Sequence, residues 1–233
     1  MKFLFDLDYT LLDTEKFKKA LIAAIVFVGG PSVEDCESAF SVVTEKMGMF
    51  DADSFFHELK DTFFSDQAAI EARVAFDRVL TETAQYLYPE AKELLEALRK
   101  HDGAVVDLMT FGNAAWQRAK VEHSGLAELF DETIYTEKDK GERLRDAGRG
   151  QDLVIVVNDN GEEIQRMIAV APEYTYILKK GPKPVPAEVV FLPTASTMQE
   201  LALQLGEQTG WDLLREIQEI RENQERESKL SRK

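Results

Sequence analysis

The run Leu153-Val154-Ile155-Val156-Val157 constrains the fold more than any other stretch of this chain. It is uninterrupted and β-branched, so it reads as a strand covered on both faces, as in a parallel sheet. It runs directly into Asn158-Asp159-Asn160-Gly161-Glu162-Glu163. Two other apolar runs end in the same abrupt way. Phe3-Leu4-Phe5 stops at Asp6-Leu7-Asp8, and Ala104-Val105-Val106-Asp107-Leu108-Met109 stops at Thr110-Phe111-Gly112-Asn113. Further strands are expected around Thr133 to Tyr135, Thr175 to Leu178 and Val189 to Phe191. Helical spacing between the runs implies right-handed crossovers and a parallel α/β core. The carboxyl ends of such strands are where ligands bind, so the polar groups at all three stops are placed for chemistry.

Residues 15–88 break the alternation. Apolar positions recur there with helical spacing, as in Phe17, Leu21, Ile22 and Ile25, and the block is rich in phenylalanine with no strand pattern. Asp13 or Thr14 is expected to cap its first helix, Ser32 with Asp35 its second, and residues 51–54 its third. A fourth helix is expected from about Gln67 to Leu87. Tyr88-Pro89 marks the return to the core, with a helix from Pro89 to Lys100. The expected organisation is a Rossmann-like three-layer core of residues 1–14 and 89–205, an all-helical cap of residues 15–88, and a charged helix or tail of residues 206–233. A helix over Ser196 to Leu205 closes the core. The first half of the tail, with Trp211, Leu213 and Ile217, is expected to pack on the domain or a partner, and the last ten residues to fray.

Charge narrows the function. The 28 basic and 43 acidic residues leave a net charge of -15, which repels nucleic acids and anionic membranes. The one cysteine, Cys36, points to a reducing compartment, and the stretch from Leu21 to Val28 is too short to span a bilayer. A cytoplasmic protein, monomeric or weakly dimeric, acting on a small molecule is expected. His57, His101 and His123 are scattered and form no zinc pattern.

The series Asp6 and Asp8, then Thr110, then a lysine, then Asp159 with Glu163 resembles the motifs of the haloacid dehalogenase (HAD) superfamily, most of whose members are magnesium-dependent phosphatases. The resemblance covers roughly residues 1–205. It implies an aspartyl-phosphate mechanism on a small phosphorylated metabolite, and chemistry supports each role. Asp6 would be the nucleophile that takes the phosphoryl group and releases it to water. Asp8 would protonate the leaving alcohol and then activate the water. Thr110, the backbone amides of Phe111 and Gly112, and Lys140 would bind the transferring group. Lys138 is the alternative lysine, although Lys140-Gly141-Glu142 better resembles the usual loop-to-helix junction. Acids gathered round an anion need a hard cation, so Mg²⁺ is the expected cofactor, held by Asp6, Asp159 and the backbone carbonyl of Asp8, with Glu163 acting through water.

Two residues depart from the family pattern. Asn158 stands where glycine or aspartate is usual, and Phe111 where a small polar residue is usual. A phosphomutase, a dehalogenase and a catalytically weak binding protein are the alternatives. The family's dehalogenases need no metal and usually lack the second acid, so Asp8 and Asp159 weigh against them.

Overall fold

The computed structural model describes residues 1–231. Six strands form one parallel sheet: β1 (Lys2–Phe5), β2 (Val105–Phe111), β3 (Glu132–Thr136), β4 (Val154–Asn158), β5 (Thr175–Lys179) and β6 (Thr194–Ala195), in the order β3-β2-β1-β4-β5-β6. From β1 the chain moves outward through β2 and β3, then returns to lay β4 on the other side of β1. The switch point therefore lies between β1 and β4, beside Asp6 and Asp159. Register fixes this: Phe5 pairs with Leu108 on one side and Val157 on the other.

The sheet separates two cores. Phe3, Phe5, Val106, Leu108, Ile155 and Val157 face one layer, and Leu4, Met109, Val154, Val156 and Leu178 face the other. Burial on both faces is why these strands carry no polar alternation. Asp107 sits inside β2 with no exposure, and the Lys2 ammonium 2.6 Å away neutralises it.

Between β1 and β2 the chain makes only helices: α1 (Thr14–Val28), α2 (Val33–Met47), α3 (Ala52–Leu59) and α4 (Asp66–Thr81), with short 3₁₀ turns at Lys60–Thr62 and Thr83–Tyr86. Asp13 rather than Thr14 caps α1, and Ser32 with Asp35 forms a reciprocal capping box on α2. The fourth helix ends at Thr81, several residues before the expected Leu87. Aromatic rings fill the interior of the block, with Phe40, Phe50, Phe55 and Phe76 in successive contact. Its two connections to the sheet bond to each other, Asp13 N–H to the Tyr86 carbonyl and Tyr88 N–H to the Leu11 carbonyl.

The core is completed by α5 (Ala91–Arg99), α6 (Ala114–Ser124), α7 (Gly141–Ala147), α8 (Gly161–Val170), α9 (Met198–Thr209) and α10 (Leu213–Ser231). α5 starts two residues after Pro89 because Glu90 takes a left-handed backbone, φ 69°. The run Val189 to Phe191 is no strand: a 3₁₀ turn ends there, Val190 and Phe191 are exposed, and the edge strand is Thr194–Ala195. The C-terminal segment divides, residues 206–209 finishing α9 and α10 carrying the chain from Leu213 through Ser231. Leu213, Ile217 and Ile220 bury the first half of α10, Arg221 pairs with Glu90, and Trp211 stacks on His101 at 3.7 Å. Of the ten residues expected to fray, 224–231 are helical, and 232–233 lie outside the described residues.

Candidate active site

Asp6 continues β1 by donating its N–H to the Val157 carbonyl, which places it at the switch point. Its Oδ1 accepts from the Leu7 N–H at 2.8 Å and from the Lys140 ammonium at 2.8 Å. Lys140 is buried, and its second contact is Glu163 at 3.0 Å. Of the two candidate lysines, Lys140 is therefore the one at the site. Lys138 lies on the surface near Glu142. Glu163 also accepts from Asn158 Nδ2 at 3.0 Å, and Asn158 Oδ1 accepts from the Asn160 N–H. The departure at 158 thus has a physical role, because a carboxylate there would repel Glu163 where the amide donates to it.

Charge at this end is unbalanced. Asp6 and Glu163 share the buried Lys140 ammonium, while Asp159 feels Lys140 and Lys183 only at longer range. Burial, only partly offset by Lys140, pushes Asp6 up to about 6. Burial and then the neighbouring Asp6 charge push Asp159 up to about 7. Glu163 stays below its usual range because Lys140 and Asn158 outweigh the cost of burial. Gly181 lets the β5–β6 loop close over Asp159, since a Cβ there would lie 2.7 Å from Asp159 Oδ2.

Asp8 belongs to a different set of contacts. Both its oxygens lie 2.6 Å from the Lys120 ammonium; Thr14 Oγ1 donates to one at 2.7 Å and Gln117 Nε2 to the other at 3.0 Å. Burial alone would raise its pKa, but Lys120, Thr14 and Gln117 together hold the carboxyl below its ordinary range. Sequence reasoning missed Lys120, Gln117 and Thr14. The overlooked signal is in α6, whose buried face is Gln117, Lys120, Val121 and Ser124 at helical spacing. Three polar residues on a core-facing stripe call for a buried polar partner.

The Thr110 hydroxyl is fully buried and has no hydrogen-bond partner. The expected amide pair beside it is corrected by half. Gly112 N–H donates to the Thr136 carbonyl at 3.0 Å and is unavailable to a ligand. In a parallel ladder alternate residues bond to opposite sides, so the Phe111 amide turns toward β1. Gly112 itself, at φ 139°, is required by close approach, since a Cβ would meet Gln117 Nε2 at 2.7 Å.

The expected four-residue metal set is also narrower than proposed. Among the described residues no three His, Cys, Asp or Glu side chains converge to hold an ion. The Asp8 carboxylate is taken by Lys120 and the Glu163 carboxylate by Lys140. What remains is the Asp6 and Asp159 pair with the Asp8 backbone carbonyl. Two buried carboxylates that each hold a proton too tightly fit a hard divalent ion that keeps most of its water.

A cavity of about 600 Å³ opens from this site toward the helical block. Asp8, Gln117, Lys120 and Glu163 lie at its floor, and Phe17, Phe40, Phe50, Phe111 and Trp116 line its walls.

A family model for haloacid dehalogenase-like hydrolases matches residues 3–170. No curated protein matches the chain. Among solved structures, the HAD-hydrolase YfnB from Bacillus subtilis bound to magnesium is 18% identical, with 88% of this chain and 97% of that one covered and a TM-score of 0.62. The 2-haloacid dehalogenase of Pseudomonas syringae pv. Tomato DC3000 is 23% identical over 89% and 99%, TM-score 0.61. A predicted phosphoglycolate phosphatase from Haemophilus somnus is 16% identical over 87% and 96%, TM-score 0.53. At these identities the likeness is one of fold.

Proposed function

The chain belongs to the haloacid dehalogenase-like hydrolases, and from that premise we propose that it is a magnesium-dependent phosphatase acting on a small phosphorylated metabolite. The observation that carries this is the unbalanced charge at the switch point, three carboxylates for which Lys140 is the one ion-paired cation among the described residues, with Lys183 acting at longer range. Asp6 and Asp159 would hold Mg²⁺, which when bound neutralises the carboxylates and the phosphoryl oxygens. In the same scheme the Thr110 hydroxyl gains the acceptor it lacks.

Asp6 Oδ1 is fixed by Leu7 and Lys140, which leaves Oδ2 to attack phosphorus. Lys140, Thr110 and the Phe111 amide hold the transferring group as its charge spreads. Asp8 then serves as base for the water that releases phosphate. Thr14 opens α1, so movement of the helical block would pull on a partner of Asp8. The block would act as a cap that excludes water and opens for product release. The magnesium-bound YfnB structure is described as revealing interdomain movement, which supports such a cap. The acting protein is expected to be cytoplasmic and monomeric or weakly dimeric. No helix among the described residues is long and apolar enough to cross a membrane.

Hydrolytic dehalogenation of a 2-haloacid is the runner-up, favoured by one observation: Lys120 holds Asp8 ionised, and a departing halide needs no acid. Phosphate release from p-nitrophenyl phosphate and chloride release from 2-chloropropionate, each with Mg²⁺ and with excess chelator, separate the two. Metal-dependent phosphate release is expected. Chloride release that survives chelation, without phosphate release, would overturn the phosphatase.

A further inference from the structure

The cavity beyond Asp8 has a definite chemistry. Its walls are rings: Phe40 stacks on Phe50 at 4.5 Å, Phe50 meets Trp116 at 5.0 Å, and Trp116 stacks on Phe17 at 6.1 Å. Phosphorylated aliphatic metabolites, small and polar, leave such walls unused, whereas a planar apolar group buries its faces against them. One cation stands among the rings. Lys18 Nζ lies 4.8 Å from the centre of the Phe40 ring and, among the described residues, has no carboxylate within ion-pair distance; the exposed Glu45 at the cavity edge does not reach it. The cavity's two other cations are turned to the carboxylates at its floor: Lys120 is bound to Asp8, and Lys183, in the loop after β5, lines the cavity where its charge bears on Asp159 and Glu163. Thr14 and Lys18 are one turn apart on α1, so Lys18 stands roughly 6 Å along the helix from the residue that touches Asp8. That separation is about the span of one or two fused rings.

The floor of the cavity agrees with the walls, because the buried Lys120 ammonium stands there, 2.6 Å from both Asp8 oxygens. A phenolate is a far better leaving group than an alkoxide, with a parent acid near pKa ~10, and an adjacent ammonium stabilises it without proton transfer.

We infer that the substrate is the phosphate monoester of an aromatic hydroxyl compound that carries a second anionic group, its rings against the wall formed by Phe40, Phe50 and Trp116 and its distal anion on Lys18. This rests on the phosphatase activity proposed above and names its substrate class. Asp6 Oδ2 forms a bond to phosphorus as the aryl oxygen leaves with its electron pair, and water then cleaves the aspartyl phosphate. The phenolate takes its proton from solvent.

The test compares kcat/KM for 6-carboxy-2-naphthyl phosphate, 2-naphthyl phosphate, phosphoglycolate and glycerol 3-phosphate. Both aryl esters are expected to exceed both aliphatic ones, and the carboxylate is expected to add roughly twofold to fivefold, the worth of one partly exposed ion pair. In Lys18→Met the ratio of the two aryl esters should fall to about one, and Lys18→Arg should restore most of it. Preference for the aliphatic esters, or an unchanged ratio in Lys18→Met, would overturn the assignment while leaving the phosphatase intact. If no phosphate ester turns over, the phosphatase fails instead, and calorimetric titration with 6-hydroxy-2-naphthoate decides the site: binding weakened in Lys18→Met supports it, and no binding to wild type overturns it.

Discussion

Two regions flank the carboxyl end of β1, and each pairs an aspartate with a lysine. On the α8 side Asp6 meets Lys140, which is shared with Glu163 and faces Asp159. On the α1 and α6 side Asp8 meets Lys120, supported by Thr14 and Gln117. The same residue types give opposite outcomes: Asp6 is pushed up to about 6 while Asp8 is held below its ordinary range. The difference is the count of anions per cation. On the first side the deficit of positive charge creates a place for a divalent ion, and on the second the charges already cancel. In the proposed mechanism it is environment, rather than residue type, that would separate the nucleophile from the base.

The comparison breaks most sharply at Asp6. Asp6→Asn should abolish phosphate release, a loss of at least ~10³-fold in kcat, because the amide keeps the shape but not the nucleophilicity. Near wild-type turnover, with mass spectrometry excluding deamidation, would rule out covalent transfer. Asp8→Asn should cost less, ~10²–10⁴-fold, the usual worth of a proton-transfer group. Burst kinetics would locate the loss in hydrolysis of the phosphoenzyme; an unchanged rate of that step would deny Asp8 the role of base.

Lys120→Met tests what holds Asp8 ionised. Without the ammonium, burial prevails and the carboxyl pKa rises, so the acidic limb of kcat/KM should move to higher pH. Stability in urea should fall by roughly 3 kcal/mol, the low end for breaking a buried pair, because Thr14 and Gln117 remain. A fixed acidic limb would show that Lys120 does not set this charge.

Metal linkage is a smaller effect with a definite sign. Asp6 and Asp159 have native pKa values above their ordinary value, so the metal-free native state binds more protons than the unfolded chain between about pH 4 and pH 7. Its stability should therefore fall as pH rises through that window. Mg²⁺ competes with those protons, so its thermal stabilisation should be large at pH 7.5 and nearly gone at pH 5. An equal shift at both pH values would place the ion elsewhere. The smallest expected change is in hydrogen exchange of residues 14–86, which should slow when Mg²⁺ and a metal fluoride phosphate analogue are added together. No change would make the helical block a fixed wall.

Strand ends were readable in the chain because three apolar runs stop at polar groups, and the acids Asp6, Asp8 and Asp159 were found there. Lys140 was separable from Lys138 only by its junction with Gly141. The partners of Asp8 were hidden because Gln117 and Lys120 sit on a helix with an ordinary surface composition, and only its packing shows which face is inside. Gly112 misled for a related reason: which way an amide points depends on the ladder with β3, and pairing is not written in local sequence. The edge strand was misplaced because Val189 to Phe191 is apolar, while the short pairing actually made by Thr194 and Ala195 carries almost no pattern.

The chain contains two tryptophans, and the fold sets them at opposite ends of the sheet. Trp116 lies in the cavity wall past the end of β2, whereas Trp211 lies flat on His101 and 5.7 Å from Phe3, where the strands begin. The molecule thus has a separate optical probe for each end. Emission from Trp116 would respond to an occupant of the cavity it lines. Emission from Trp211 would respond to release of α10, whose start it adjoins. Replacing either one with phenylalanine leaves a single-channel reporter, so ligand entry and loosening of the C-terminal helix become distinguishable in one cuvette.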